Sequence, residues 1–367
     1  MATWDLAHRG RRSDQVTYGD TKLGARLGCY VLPGGVRDPA PAIAQAQAAE
    51  RLGLGAVWIG ERYDTKDLPS LAGAIGQATG RVRIGAAVTS PGLRHPMVLA
   101  SMGQTLQALT GERFALGLGR SAAWRWRAYG VPAPTLASLG DTASILRRLW
   151  AGDTVSYSGP AGTFPELRLA QRPDTVPPRL LLAAVGPKTL RLAGSHFDGA
   201  ILHPFLTQDA VARSVALVRA GAEAAGRDPA ASRCYATVVT ACDTAAQQAE
   251  LAIRSRGAGY FHVDGLGDAL VSANGWDPAE LARYRNHPMF SGLGGRQADK
   301  ALSRQQLIDV SRALPEEWIT SSSVAGDAAT CASLLRSYLA AGADELILHG
   351  STAELFAPLV AALASGD

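Results

Sequence analysis

Short apolar runs recur along this chain, separated by stretches whose apolar positions return at helical spacing. Val82, Ile84, Ala86 and Val88 alternate with Arg83, Gly85 and Ala87, the period-two pattern of a strand, and the run breaks into Thr89-Ser90-Pro91-Gly92. Leu27 to Leu32, Ala56 to Gly60, Arg113 to Leu118, Arg179 to Ala184, Asp198 to Leu202, Tyr235 to Ala241 and Glu345 to His349 read the same way. The intervening PAIAQAQAAERLGL, Leu68 to Thr79 and Pro96 to Leu109 read as helices, so the alternation predicts eight βα units and a closed α/β barrel.

Two excursions interrupt the alternation. Residues 119–178 hold a helix over Leu139 to Trp150 and a short hairpin near Thr154 to Tyr157 and Leu167 to Leu169, and about 260–325 are polar and glycine-interrupted. Long structured insertions at such places cap a pocket or build a partner surface. The division is therefore a polar arm over 1–22 and one barrel domain over 23–367. The rival architecture, an open doubly wound sheet, needs a glycine fingerprint after its first strand; Cys29-Tyr30-Val31-Leu32-Pro33-Gly34-Gly35 does not supply it.

Composition narrows the function. With 47% hydrophobic residues and 40 glycines in 367 residues, the chain suits a globular enzyme with a large core. The net charge of +4 is spread along the chain, which argues against nucleic acid and is compatible with a small anionic ligand. Cys29, Cys234, Cys242 and Cys331 lack ligand spacing, so neither a metal site nor a disulfide framework is expected, and reduced thiols suit a cytoplasmic protein. No run approaches the roughly 20 apolar residues of a membrane span.

In a barrel of this kind, chemistry gathers where the strands end. Those ends are Tyr30, Gly60-Glu61, Val88-Thr89, Gly119 to Ala122, Ala184 to Pro187, Leu202-His203 and His349. Val185-Gly186-Pro187-Lys188 sets a glycine and a proline at a helix start, leaving first-turn amides free for an anion. Glu61 can hydrogen-bond a reacting group; Arg62 is always charged and suits an anionic substrate, and a surface ion pair is the other reading of both. His203 can bond a phosphate or simply the backbone. Ala87 and Gly85 leave backbone bare enough for a flat ligand to lie on it. Trp124-Arg125-Trp126-Arg127 offers an aromatic and cationic wall, and His95 holds the turn before the next helix.

The segment IGAAVTSPGLRHP resembles the third strand of the luciferase-like monooxygenase superfamily, in the branch that uses the deazaflavin coenzyme F420; methylenetetrahydromethanopterin reductases are similar. AAVGPKTLRLAG followed by DGAIL resembles the family's fifth and sixth units. The resemblance implies a bacterial-luciferase-like (β/α)8 TIM barrel, a homodimer, a small-molecule substrate and hydride transfer at the deazaflavin C5. It implies a cofactor site at Tyr30, Ala87, Val88, Thr89, Gly119, Ser121, Val185, Gly186, Pro187 and His203, with a cis peptide at Ala87–Val88 behind the ring. Glu61 and Arg62 fall where relatives carry an active-site acid and histidine. Ala122 replaces the catalytic Glu of sugar-oxidising members, so a phosphosugar dehydrogenase is not expected. An FMN-dependent monooxygenase and a non-catalytic deazaflavin carrier are the alternatives.

Overall fold

Strands that are buried on both faces need continuous apolar sequence, and AVWI, RLLLAA and GAIL provide it. The computed structural model describes residues 23–32, 37–121, 123–293 and 298–364. The polar arm, Pro33-Gly34-Gly35 and Ala122 lie outside the described residues.

The chain runs β1 (Leu27–Tyr30), α1 (Pro41–Arg51), β2 (Ala56–Ile59), α2 (Leu68–Ala78), β3 (Arg83–Ala86), α3 (Pro96–Leu109) and β4 (Phe114–Leu118). The first excursion holds α4 (Ala123–Ala128), α5 (Leu136–Ala151) and an antiparallel hairpin, β5 (Val155–Gly159) with β6 (Gly162–Leu167). Then come β7 (Arg179–Ala184), α6 (Pro187–His196), β8 (Gly199–Leu202), α7 (Gln208–Ala224) and β9 (Arg233–Cys242). The second excursion is helical: α8 (Ala246–His262), α9 (Leu266–Asn274), α10 (Pro278–Arg285), α11 (Ala298–Ala301), α12 (Arg304–Ser311) and α13 (Glu316–Thr320). β10 (Val324–Gly326), α14 (Ala328–Ala340), β11 (Glu345–His349) and α15 (Ala357–Ala364) complete it.

Pairing closes the barrel. β1, β2, β3, β4, β7, β8, β9 and β11 pair in that order, all parallel, and β11 returns to β1 through Leu27 opposite Leu346. Short β10 adds to the end of β9, an element the sequence reading lacked. α5 packs between α3 and α6, so it belongs to the outer helical ring although it lies within the excursion.

The barrel is filled. Trp58 sits between two glycines: a Cβ on Gly85 would come 2.2 Å from its ring, and one on Gly28 2.7 Å from its Nε1. Its ring meets Tyr235 edge-on at 5.2 Å, above Leu181, Ile201 and Ile347. This corrects the expectation for Gly85, whose bare backbone is covered by indole and cannot carry a ligand.

Below that layer, charges close the end where the strands begin. Arg83, from β3, grips Glu345 of β11 with two nitrogens at 2.9 and 2.5 Å. Arg233 lies 3.2 Å from Asp344 and 3.7 Å from Glu345, and only 5% of the Glu345 side chain is exposed.

Candidate active site

At the opposite end, the segment after β3 is fixed from two sides. Thr89 donates its amide to Gly117 and accepts from Gly119, so the turn continues along β4. The peptide between Ala87 and Val88 is cis. A Cβ on Gly119 would lie 2.5 Å from Val88, so glycine is what allows the two segments to meet. Tyr30 donates its hydroxyl to the Ala87 carbonyl at 3.1 Å, and Ala87 caps the interior layer.

Glu61 supports the turn. One carboxylate oxygen accepts from Thr89 Oγ1 at 3.1 Å and Arg94 Nη2 at 2.8 Å, and the other accepts from the Leu68 amide at 3.4 Å. Tyr63 joins this network through Thr89 and the Ser90 amide. Both Glu61 oxygens are thus engaged, and the structure places Glu61 as a positioning residue of the Thr89 turn. Arg62 is outside this network: half exposed, it lies 3.9 Å from Asp299 of α11 and near enough to His349 to help lower its pKa. Lys300 of the same helix pairs with Asp64, so the second excursion reaches over the β2 loop.

Of the Trp124 to Arg127 stretch, Arg125 reaches the β2 loop. Arg125 lies over Trp124 at 5.0 Å and over Tyr63 at 5.9 Å, and donates to Ser121 Oγ at 2.8 Å. Trp126 donates to the Arg120 carbonyl beneath it. His95 accepts from the Met97 amide at 3.2 Å and caps α3.

Across β7, α6 begins on Gly186 with no side-chain cap, Pro187 in its first turn and Val185 half-buried behind it. A Cβ on Gly186 would meet nothing within 4 Å. Open space above unpartnered first-turn amides is what an anion needs.

His203 is directed away from that role. Its Nδ1 donates to the Pro204 carbonyl at 2.9 Å, and burial lowers its pKa to about 4. The ring is therefore neutral with its one proton engaged, leaving Nε2 only an acceptor and no donor for a phosphate. Tyr260 of α8 stands edge-on to it at 4.7 Å. Because a depressed histidine pKa means that the unfolded chain binds the extra proton first, stability is retained above pH 6.5 and lost as pH falls from there toward 4. The expected slope is about 1.4 kcal/mol per pH unit for this group. Denaturation at pH 7 and pH 5 should show it, and His203→Asn should flatten it; an unchanged slope would count against a neutral buried ring.

The sequence reading missed Tyr63, Arg94, Arg256 and Tyr260. Arg256 Nε donates to His349 Nε2 at 3.3 Å, and the His349 ring lies 4.6 Å from Tyr30. Burial, with Arg256 and Arg62 adding to it, holds the His349 pKa well below its ordinary value. The spacing of Ala252, Arg256 and Tyr260 by four was the available signal, since it puts all three on one face of α8. Two cavities, about 650 and 950 Å³, lie between outer helices: one among α5, α6 and α7, the other between α2 and α3. The second is lined in part by Asp67 and Arg94, the partners around Glu61. Among the described residues no cluster of His, Cys, Asp or Glu can hold a metal, and no helix is long and apolar enough to cross a membrane.

Known proteins share this architecture. The 5,10-methylenetetrahydromethanopterin reductase of Methanolobus tindarius is 31% identical over 247 residues, 67% of this chain and 74% of that one. The F420-dependent hydroxymycolic acid dehydrogenase of Mycobacterium tuberculosis is 33% identical over 200 residues, 51% of this chain and about half of its own length, 55%. In fold, the chain aligns with the coenzyme F420 dependent tetrahydromethanopterin reductase from Methanopyrus kandleri with a TM-score of 0.73 at 20% identity, over 92% of this chain and 97% of that one. Residues 20–345 match the model of the family described as Luciferase-like monooxygenase, and with its closed parallel barrel the chain belongs to that family.

Proposed function

We propose that this protein is a coenzyme F420-dependent oxidoreductase that moves a hydride between the deazaflavin C5 and an organic substrate. The observation that carries the reading is one lip of the barrel, where β7, which leads to the uncapped start of α6 at Gly186, pairs with β4, whose end at Gly119 lies against Val88 and Ala183. F420-dependent relatives at about this level of identity support it.

The residues divide as follows. First-turn amides of α6 would hold the cofactor's phosphodiester, and Gly186 leaves them clear. Ala87, Val88 and Gly119 would face the ring, kept in place by the Tyr30 hydroxyl and by the Glu61–Thr89–Arg94 network. Bound there, F420 supplies a two-electron hydride carrier that reacts poorly with oxygen. The protein's part is orientation and exclusion of water. A carboxylate already engaged at Glu61 suits chemistry that needs little proton transfer.

Titration of the purified protein with F420 and FMN side by side tests this. F420 is expected to bind on the order of tenfold tighter or more. Equal or tighter FMN binding, with oxygen consumed by the reduced protein-bound cofactor, would make the protein a flavin monooxygenase instead.

A further inference from the structure

Arg256, at the mouth, has no counter-ion among the described residues. Arg256 is half-buried on α8; its Nε donates to His349 and its Nη1 to the Ala252 carbonyl at 2.8 Å. Its Nη2 makes no hydrogen bond to a described residue, and no described carboxylate lies within ion-pair distance of it. Arg94 is compensated by Glu61 and Asp67, Arg233 by Asp344 and Glu345, and Arg254 by Glu250 and Glu316. Arg113, which has no carboxylate, directs its nitrogens to the carbonyls of Gly76, Thr79, Val82 and Thr110. A desolvated cation with a free donor is costly unless something fills the place.

The surroundings sharpen the point. His349 Nδ1 is also buried without a partner. Arg62 is offset by Asp299, and His203 and His349 are neutral, so Arg256 brings an uncompensated charge beside them. Tyr30, Tyr260 and His203 make the neighbouring walls flat and aromatic. In the ring of strands, β11, which carries His349, is three strands away from β7, which leads to Gly186. An anion held here is distinct from one held by α6.

We propose that Arg256 anchors a carboxylate of the substrate, whose remainder extends between Tyr30 and Tyr260 toward Ala87. This rests on reading the mouth as the substrate side of an F420 site. Guanidinium binds carboxylate through paired, charge-assisted hydrogen bonds, and one uncompensated charge matches a monoanion.

Benzoate and its neutral isostere benzamide are suitable probes, measured by calorimetry and thermal shift on the cofactor-free protein. Benzoate is expected to bind on the order of tenfold tighter than benzamide, with Arg256→Gln abolishing the preference and Arg256→Lys keeping part of it. The F420 affinity of both variants should stay within about threefold of the parent. Equal binding of the two probes to the parent protein overturns the proposal whatever the variants do, as does a preference that survives Arg256→Gln. A loss of F420 affinity in a folded Arg256→Gln variant also overturns it, by assigning the guanidinium to the cofactor. If the parent prefers benzoate but does not bind F420, the carboxylate anchor stands and the cofactor reading fails.

Discussion

Gly186→Asp is expected to weaken F420 binding by on the order of 100-fold, about 2.7 kcal/mol, without any loss of stability. Gly186 is the N-cap of α6, at φ −75° and ψ 155°, which any residue adopts. A Cβ there meets nothing within 4 Å, so the new side chain enters without steric cost. Aspartate at an N-cap accepts from first-turn amides and favours the helix dipole, contributing a few tenths of a kcal/mol over glycine. The same capping bond takes the donors a phosphate would use and sets a negative charge in its place. Thermal melts should therefore hold steady or rise while fluorescence titration shows binding lost. Undiminished affinity in the folded variant would put the phosphate elsewhere on the lip. FMN binding should fall in parallel, so the variant tests the anion cradle and not the identity of the ring.

Glu345→Ala should have the complementary outcome, a loss of stability of about 3–5 kcal/mol with cofactor affinity changed less than about twofold. Glu345 is 4% exposed and meets Arg83 and Arg233 at the end of the barrel where strands begin. Removing the carboxylate takes from Arg83 the two bonds it makes to Glu345 and leaves Arg233 with Asp344, beneath the Trp58 layer. Chemical denaturation monitored by tryptophan fluorescence would measure the change. A cost under about 1 kcal/mol would mean that the arginines reach solvent or other acceptors.

The barrel was legible because parallel strands buried on both faces leave long apolar runs. Expected Arg179 to Ala184 and Glu345 to His349 coincide with β7 and β11, and Tyr235 to Ala241 falls within β9. β10 escaped notice because three residues, two of them exposed, carry no periodicity. The site was legible where it depends on backbone: Gly186-Pro187 at a helix start and the Ala87–Val88 turn are written in local sequence. It was illegible where side chains from distant elements converge. Nothing near Gly85 announces that Trp58 covers it, and Glu61 reads as a free acid until Arg94, 33 residues on, is seen to hold it. Arg256 drew no reading, because the histidine it contacts comes 93 residues later.

Trp58, Tyr235 and their apolar neighbours form a septum between the two ends of the barrel. Changes on either side share no partners, so their free energies should add. A double variant carrying Gly186→Asp and Glu345→Ala would then show the sum of the single effects within about 0.5 kcal/mol. Such independence leaves the upper rim free to be rewritten for a new substrate while the foundation under it is kept. A layer of aromatic packing, with no chemistry of its own, is thus what makes the reactive end evolvable.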